Sequence, residues 1–436
     1  MKASLHNLGC KVNSYETEAI QQLLEKEGYE IVDFDQPADV CIINTCSVTN
    51  IADRKSRQMI HKARTLNPGA IIVATGCYAQ IFTQDIADEA CADIIVGNNN
   101  KNEIAKLIEE YRQNPDQSII CVKDLSKACE YESIKSENTA DHTRAYVKIQ
   151  DGCNQFCTYC IIPYTRGRIR SRERDDVIKE VRKLASNGYK EVVLTGIHLS
   201  SYGKGLDYSL IDIIEDVSGV EGIERIRLGS LEPGIITKDF LDRLVKVRQA
   251  CPHFHLSLQS GCDSVLKRMN RKYTSAEYLE RCQLIRKYYE HPAITTDIIT
   301  GFPGETEEEF RLTLDFAKTC DIYEIHIFKY SRRKGTKADK MTGQLSDKIK
   351  SARSSELQVI ANDNTRRFME YYIGRQVQVL VEEVIRLEGR EYYIGHTREY
   401  VKVAFLVDQE GENMENYLVE VQVRGMLKID TLLGEI

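Results

Sequence analysis

AYVKIQDGCNQFCTYC, residues 145–160, joins a short apolar run to three closely spaced cysteines. The run AYVKIQ has the length and composition of a buried β-strand. Cys153, Cys157 and Cys160 follow at C-x3-C-x2-C spacing, where this strand should end. In barrels and open sheets of parallel strands, the carboxyl ends of the strands carry the chemistry. The stretch therefore predicts an α/β domain with a thiolate metal site at its functional edge.

The alternation of apolar runs and helical patterns continues beyond this stretch. Further apolar runs occur at 191–197, 225–231, 253–260, 293–301 and 322–330. Amphipathic patterns such as DVIKEVRKLASNG separate these runs, as expected for βα units. Together the apolar runs favour a (β/α)6 barrel or partial barrel, and an open doubly wound sheet is the alternative. We assign this central domain to residues 144–372.

The N-terminal part of the chain shows a similar pattern. Apolar runs occur at 3–8, 40–44, 70–75 and 92–97. Between the first two, Asn13 can cap a helix with Glu16 three residues later, and Gly28 can end that helix. Strands that alternate with helices predict an open parallel sheet. We assign this domain to residues 1–128 and a polar linker to 129–143.

After residue 374 the hydrophobic period becomes two. Segments such as GRQVQVLVEE and NYLVEVQVRGM alternate apolar and polar residues, which is typical of half-buried β-strands. We predict a small all-β barrel of the OB type at residues 373–436. Such barrels are frequent nucleic-acid modules, and a generic β appendage is the alternative.

Composition limits the classes of protein to which the chain can belong. Hydrophobic residues make up 42% of the 436 residues and charged residues 29%, which is a globular balance. The sequence has no apolar run of the roughly 18 residues that suggest a membrane span, and it begins without a secretory signal pattern. We therefore expect a cytoplasmic protein. The net charge of −7 argues against a uniformly basic nucleic-acid binder but allows a local basic patch.

The 14 cysteines are informative because disulfides are rare in a reducing compartment. Structural zinc sites usually have four protein ligands, but no further Cys/His pair lies near Cys153, Cys157 and Cys160 in the sequence. A cubane iron–sulfur cluster held by three thiolates would leave one iron without a protein ligand. We interpret that open iron as the binding position for a small molecule.

Three other cysteines occupy equivalent positions in the N-terminal domain. Cys10, Cys46 and Cys77 each follow a predicted parallel strand, in NLGC, INTC and ATGC. Strands of one parallel sheet share their carboxyl edge, so these thiols can converge although dozens of residues separate them. We interpret them as a second three-cysteine cluster, and three unrelated loop cysteines are the alternative.

Several motifs resemble those of the methylthiotransferase family within the radical S-adenosylmethionine (SAM) superfamily. They are LGCKVN, NTCSVT, TGCYAQ, DGCNQFCTYCIIPYTRGRIRSR, LTGIHLSSYG, SLQSGCDSVLKRMNRKY and TDIITGFPGETEEEF. The C-terminal module likewise resembles the TRAM domain of that family. The resemblance implies two [4Fe–4S] clusters and SAM as cofactors. It places the auxiliary cluster on Cys10, Cys46 and Cys77, and the radical SAM cluster on Cys153, Cys157 and Cys160.

Enzymes of this family replace a C–H bond with C–S–CH3. One SAM donates a methyl group to a sulfur attached to the auxiliary cluster. Reductive cleavage of another SAM gives a 5′-deoxyadenosyl radical, which removes hydrogen from the target carbon. The resemblance thus implies a transferase that receives electrons from a protein such as a flavodoxin or ferredoxin. It does not indicate the sulfur donor.

The start LGCKVNSYETEAI resembles one branch of this family, in which Lys11 and Val12 are the discriminating residues. That branch converts N6-threonylcarbamoyladenosine at position 37 of tRNA to its 2-methylthio derivative, so the expected partner is the anticodon stem-loop of tRNA. Branches that act on isopentenyladenosine in tRNA or on an aspartate of a ribosomal protein are alternatives. A non-catalytic, metal-dependent RNA-binding protein and an electron-transfer protein are more remote alternatives.

Two basic runs are predicted to contact RNA phosphates, with solvated charged loops as the alternative. The first run, after the cysteine loop, contains Arg166, Arg168, Arg170, Arg172 and Arg174. The second run, after the last predicted barrel strand, contains Lys329, Arg332, Arg333, Lys334 and Lys337.

Other polar residues near predicted strand ends are candidates for contact with SAM or substrate. Their positions and the family resemblance suggest this role, and structural hydrogen bonding is the alternative. These candidates are Thr195, Gly196, Gln259, Ser260 and Asp297.

Overall fold

The structure is a computed structural model that describes residues 1–89, 91–115, 117–127, 129–135, 143–407 and 413–436. Residues 136–142, which make up much of the predicted linker 129–143, lie outside the described residues. Within these ranges, no helix combines the length and the apolarity that crossing a membrane requires.

The N-terminal part forms a six-stranded parallel sheet. Its strands are β1 (Lys2–Asn7), β2 (Glu30–Val32), β3 (Val40–Thr45), β4 (Ile71–Gly76), β5 (Ile94–Val96) and β6 (Ile119–Cys121). They lie in the order β2-β1-β3-β4-β5-β6. The helices are α1 (Lys11–Lys26), α2 (Asn50–Leu66), α3 (Cys77–Ile81), α4 (Thr83–Asp88) and α5 (Ile104–Gln113). The predicted open parallel sheet is confirmed, and the short edge strands β2 and β6 are additional to the prediction.

The central part contains six parallel strands and a short antiparallel one. They are β7 (Arg144–Asp151), β8 (Arg170–Ser171), β9 (Glu191–Gly196), β10 (Arg225–Leu228), β11 (His253–His255), β12 (Ala293–Thr300) and β13 (Glu324–Lys329). They form the sheets β10-β9-β7-β8 and β11-β12-β13. Parallel bridges from Ile226 to Ala250 and from Leu231 to Leu256 join the two sheets into one arc. The predicted partial (β/α)6 barrel is confirmed.

Eight helices accompany these strands. They are α6 (Ile162–Thr165), α7 (Arg174–Ser186), α8 (Leu210–Ser218), α9 (Lys238–Leu244), α10 (Asp263–Arg268), α11 (Ser275–Tyr288), α12 (Glu307–Thr319) and α13 (Asp347–Glu370). Capping boxes fix the start of two of them, with Thr274 and Glu277 at α11 and Thr306 and Glu309 at α12.

Side chains alternate between the two faces of the arc, because successive residues of a strand point to opposite sides. One face is apolar and belongs to the buried core, with Val147, Val192, Ile226, Phe254 and Ile298. Residues of the opposite register are largely polar, and they include Lys148, Thr195, Arg227, His255 and Asp297. The inner face of the arc is therefore suited to a polar ligand.

The C-terminal part is a closed five-stranded barrel, as predicted. Its strands are β14 (Gln376–Leu387), β15 (Arg390–His396), β16 (Lys402–Leu406), β17 (Leu418–Lys428) and β18 (Thr431–Glu435), in the order β14-β15-β16-β18-β17. Arg225 and Arg227 of β10 donate hydrogen bonds to backbone carbonyls of this barrel, including that of His396 at 2.8 Å. The barrel thus packs against the amino ends of the central strands.

Candidate functional site

Cys10, Cys46 and Cys77 follow three adjacent strands of the N-terminal sheet. Cys10 is the N-cap of α1 after β1, Cys46 follows β3, and Cys77 begins α3 directly after β4. A Cβ atom on Gly9, which has φ +118°, would lie only 3.0 Å from Cβ of Cys46. Glycine therefore lets the Cys10 loop approach the Cys46 loop. We call these three cysteines the N-terminal trio.

The thiols of the N-terminal trio are close enough to influence one another. Burial raises the pKa of the Cys46 thiol to about 12, and Cys77 and Cys10 act in the same direction. Burial also raises the pKa of Cys10, whereas Arg166 and hydrogen bonds from the α1 backbone oppose that rise. The side-chain amide of Asn98 donates to Sγ of Cys77 at 3.6 Å. The raised pKa values of the Cys10 and Cys46 thiols fit a site where a bound cation replaces their protons.

Cys153, Cys157 and Cys160, the central trio, lie in the loop after β7. A Cβ atom on Gly152 would lie 1.9 Å from the carbonyl oxygen of Arg168, so only glycine fits there. Burial is the main reason that the pKa of Cys153 rises to about 11 and that of Cys160 to about 12, and the neighbouring Cys157 adds to both. The backbone N–H of Gln155 donates to Sγ of Cys153 at 3.4 Å.

Neither trio is compact enough for a single metal ion. Across the described part of the chain, two groups of His, Cys, Asp or Glu have three ligand atoms within 4.8 Å of one another. These groups are His61, Glu89 and Cys91, and His255, Asp297 and His326. The six cysteines belong to neither group. Three convergent thiols at wider separation, with N–H donors to their sulfurs, fit a [4Fe–4S] cluster.

A buried ionic network connects the two trios. Glu16 of α1 accepts from Arg166 at 2.8 Å and from Lys148 at 2.6 Å, and its other oxygen lies 3.1 Å from the ammonium of Lys101. Each of these side chains is at most 4% exposed. Burial alone would raise the pKa of Glu16, but the three cations hold it well below its usual range. Since α1 begins after Cys10 and Arg166 follows Cys160, the network fixes the position of one trio relative to the other.

Asn13 and Arg333 add two further connections. Asn13 accepts from Arg166 at 2.6 Å and donates to the carbonyls of Leu8 and Thr45, which flank Cys10 and Cys46. Arg333 lies in the loop after β13, and it donates to Asp53 at 2.6 Å and to Ser47 at 2.7 Å. Ser47 is the residue after Cys46. Both contacts therefore attach the N-terminal trio to the central part.

Most of the first basic run does not reach the surface, so the prediction of a phosphate track is wrong there. Arg166, Arg170 and Arg172 are at most 6% exposed. Arg170 lies 3.5 Å from Asp151, and Arg172 lies 2.6 Å from Glu180. These buried carboxylates draw the guanidinium groups inward. Two other arginines of this run have different surroundings: Arg174 pairs with Asp216, and the exposed Arg168 lies over the Phe156 ring at 4.7 Å.

The second basic run is divided between surface and interior. Arg333 is 3% exposed because it pairs with Asp53, so the prediction that it contacts RNA is wrong. Lys329, Arg332, Lys334 and Lys337 are exposed. Arg332 is paired with Asp339 at 2.6 Å, which leaves the lysines as the more available cations.

The candidates for contact with SAM or substrate lie in or just after central strands. Thr195 and Gly196 end β9, and Asp297 lies in β12 on the inner register. Gln259 has a left-handed backbone conformation, with φ 72°, and its backbone N–H donates to the backbone carbonyl of Asp297 at 2.8 Å. Ser260 is fully buried and shares a hydrogen bond with Thr313 of α12, which favours the structural alternative for this residue.

Sequence reasoning did not identify Arg271 as a site residue. Its Nη1 donates to Sγ of Cys157 at 3.2 Å, and its Nη2 donates to Glu232 at 2.9 Å. Glu232 also lies 3.7 Å from His198. The arginine stands in NRKY, far along the chain from the cysteine loop, so the only available signal was the motif itself.

Two family models match the chain. The model described as Radical SAM superfamily matches residues 147–317, and the one described as Uncharacterized protein family UPF0004 matches residues 2–97. Among solved structures, the radical S-adenosylmethionine methyltransferase TsrM from Kitasatospora setae is similar, with a TM-score of 0.57 and 14% identity. The similarity covers 75% of this chain and 74% of that one, and it shows the fold alone.

Curated relatives match nearly the whole chain, and two of them illustrate the range of identity. Threonylcarbamoyladenosine tRNA methylthiotransferase MtaB of Bacillus subtilis is 41% identical over 96% of this chain and 93% of its own length. A tRNA-2-methylthio-N(6)-dimethylallyladenosine synthase of Thermoanaerobacter sp. is 35% identical over 99% of this chain and 92% of its own length. At this identity and coverage, the chain belongs to the family of radical SAM methylthiotransferases that includes MtaB.

Proposed function

We propose that the protein is a radical SAM methylthiotransferase that converts N6-threonylcarbamoyladenosine at position 37 of tRNA to its 2-methylthio derivative. The observation that carries the proposal is the connection of the two cysteine trios through the buried Glu16–Arg166 network. A reaction that needs a radical and a sulfur at one carbon requires two such centres in a fixed relation. The 41% identity to the Bacillus subtilis relative, named for this substrate, favours it over the dimethylallyl substrate named for the relative at 35%.

Cys10, Cys46 and Cys77 would hold one [4Fe–4S] cluster and Cys153, Cys157 and Cys160 the other. When bound, the clusters and SAM supply the radical, the sulfur and the methyl group. The side chains of this chain hold and orient them. Arg271 donates to the sulfur of Cys157 and Gln155 to that of Cys153, and such hydrogen bonds tune the potential of a cluster. Cys46, Cys77 and Cys157 are buried, which limits the access of water to these thiols.

The inner face of the arc is the proposed binding place for SAM and the substrate base. Thr195, Gly196 and Asp297 are the residues that we propose for contact there. Gln259, with its left-handed backbone conformation, follows β11. The anticodon stem-loop of tRNA would then rest on the exposed cations of the carboxyl edge, with Arg168, Lys329, Arg332 and Lys334 as candidates. A flavodoxin or ferredoxin would supply electrons.

Mass spectrometry of tRNA nucleosides tests the proposal. A strain without the gene should lack the methylthio derivative of threonylcarbamoyladenosine, and the intact gene should restore it. Neither Cys46→Ala nor Cys157→Ala should restore it. In the purified proteins, Cys157→Ala should form no 5′-deoxyadenosine from SAM, whereas Cys46→Ala should still form it.

Cys121→Ala is the matched control, since this cysteine lies in the edge strand β6 and outside both trios. It should restore the modification. Persistence of the methylthio derivative in the deletion strain would refute the proposal. Loss of the methylthio derivative of dimethylallyladenosine instead would assign the other substrate.

A further inference from the structure

Lys11 is a cation without a partner. It is the first residue of α1, next to Cys10, and it is exposed. Among the residues that the structure describes, no carboxylate lies within ion-pair distance of its ammonium group, and no hydrogen bond to its side chain is present. Most other cations near the two trios, such as Lys101, Lys148 and Arg166, are matched to Glu16. Lys11 therefore remains available to a ligand.

The charges that act on Lys11 come from the inner face of the arc. They are those of Arg144 at the start of β7, Arg227 of β10 and Glu191 at the start of β9, besides the Cys10 thiol. His253 of β11 in turn experiences the charge of Lys11. Glu16, further along the same helix, accepts from Lys148 on the inner face of β7 at 2.6 Å, so α1 lies over the inner face of the arc and Lys11 begins that helix.

Two of the carboxylates in this region, those of Glu191 and Glu382, already have partners. Glu191 accepts from Arg227 at 2.7 Å and is fully buried. Glu382 of the C-terminal barrel accepts from Arg144 at 3.2 Å and pairs with His396 at 2.7 Å. Because Glu191 and Glu382 each pair with another cation, the ammonium group of Lys11 has no carboxylate of the described residues within ion-pair distance. An anionic ligand would complete the arrangement.

We propose that the ammonium group of Lys11 binds the carboxylate of the threonyl group on the substrate adenosine. This inference rests on the proposed function and identifies the residue that recognises the substituent at N6. Adenine carries N6 and C2 on one edge, with N1 between them. A group that presents sulfur to C2 therefore lies close to whatever sits on N6. Cys10 belongs to the trio proposed to hold that sulfur, and Lys11 is the next residue.

The carboxylate of SAM is the other anion of this chemistry that could reach the inner face. We assign it elsewhere, because the central trio and Arg271 lie beyond the carboxyl end of β7, whereas the groups around Lys11 lie toward the amino ends of the strands. A dimethylallyl substituent carries no charge and would gain nothing from Lys11. The residue would thus determine specificity between the two tRNA substrates named for relatives of this family.

Binding to two anticodon stem-loops tests this role. One carries threonylcarbamoyladenosine, and the other carries the same group with its carboxylate converted to a neutral amide. The reconstituted wild-type protein should bind the acid form about ten- to a hundredfold more tightly, as expected for a charge-assisted hydrogen bond. Lys11→Met keeps the length of the side chain. In this variant the two affinities should become equal, because only the affinity for the acid form falls. Lys11→Arg should recover the preference.

Lys26→Met, at the opposite end of α1, is the control and should keep the full preference. Iron content and circular dichroism show whether each variant is folded and loaded. Continued preference for the acid form in a folded Lys11→Met would overturn the inference. So would weaker SAM binding by Lys11→Met with unchanged RNA discrimination, because the cation would then serve SAM. If the wild-type protein forms no methylthio product on the acid RNA, the proposed function itself fails.

Discussion

The guanidinium group of Arg166 donates hydrogen bonds to both carboxylate oxygens of Glu16, at 2.8 and 3.0 Å, and both side chains are buried. Glu16 lies in the helix that begins after Cys10, and Arg166 follows the loop that contains the central trio. This pair directly links the segments of the chain that carry the two cysteine trios. It joins residues that are 150 positions apart in the sequence.

Replacement of Glu16 by glutamine should partly uncouple the cleavage of SAM from the formation of the methylthio product. The variant would leave Lys101, Lys148 and Arg166 facing one another, with Asp151 as the remaining carboxylate of the network. Removal of one partner of a buried ion pair lowers the free energy of unfolding by roughly 3–5 kcal/mol. We expect a lower thermal unfolding midpoint and less methylthio product for each 5′-deoxyadenosine formed. Circular dichroism and product analysis measure the two effects.

Glu109→Gln is the control for Glu16→Gln. Glu109 also pairs with an arginine, Arg112 at 2.8 Å, but both side chains are about half exposed. Exposed pairs contribute about 1 kcal/mol or less, so this variant should behave like the wild type. Equal effects of the two substitutions would contradict the positioning role of Glu16.

The order of strands and domains could be predicted from the sequence, because local patterns of apolar residues determine it. Segments rich in apolar residues mark every parallel strand of four or more residues, and the change of period after residue 374 marks the C-terminal barrel. Three strands of the N-terminal and central parts were not predicted, namely β2, β6 and β8. They have two or three residues each, which is too short for a hydrophobic period to be visible.

The site was predictable where strand ends determine it and unpredictable where distant partners do. Each cysteine of the trios follows a strand, so the shared carboxyl edge indicates that they converge. The role of Arg166 depends on Glu16, which lies in helix α1 of the N-terminal part, and the role of Arg333 depends on Asp53. A run of basic residues shows charge but not its partners, and buried partners turned predicted phosphate contacts into structural ion pairs.

Acid should remove the contribution of Glu309 to stability. Hydrogen bonds from Arg268, at 2.6 and 2.8 Å, lower the pKa of Glu309 from 4.5 to about 2. A carboxyl group with a depressed pKa stabilises the fold above its unfolded pKa and loses this effect as the pH falls toward its folded pKa. We expect Glu309→Gln to cost about 1 kcal/mol at pH 7 and progressively less below pH 4.5. Thermal unfolding midpoints across this range measure the change.

Glu356→Gln removes the same charge from an exposed position on α13 and serves as the reference. Its unfolding midpoint should follow that of the wild type at each pH. A cost of Glu309→Gln that grew toward acid pH would contradict the assignment, because it would require a folded-state pKa above the unfolded one.

Reversal of the exposed lysines after β13 should weaken RNA binding. Lys329 ends that strand and Lys334 lies in the loop beyond it, at the carboxyl edge of the arc, and both are exposed. Cations that neutralise phosphates release counterions, so affinity falls as salt rises. We expect Lys329→Glu with Lys334→Glu to raise the Kd for the anticodon stem-loop. The slope of log K against log salt should become shallower by about one to two.

The matched control is Lys183→Glu with Lys287→Glu, which changes the net charge equally on the outer helices α7 and α11. These lysines are exposed but lie away from the carboxyl edge, so long-range repulsion is the only effect that they can have on RNA. Such repulsion is screened beyond about 10 Å at 0.1 M salt. A salt slope that changes equally in both double variants would therefore show that net charge alone matters, and it would remove Lys329 and Lys334 from the RNA interface.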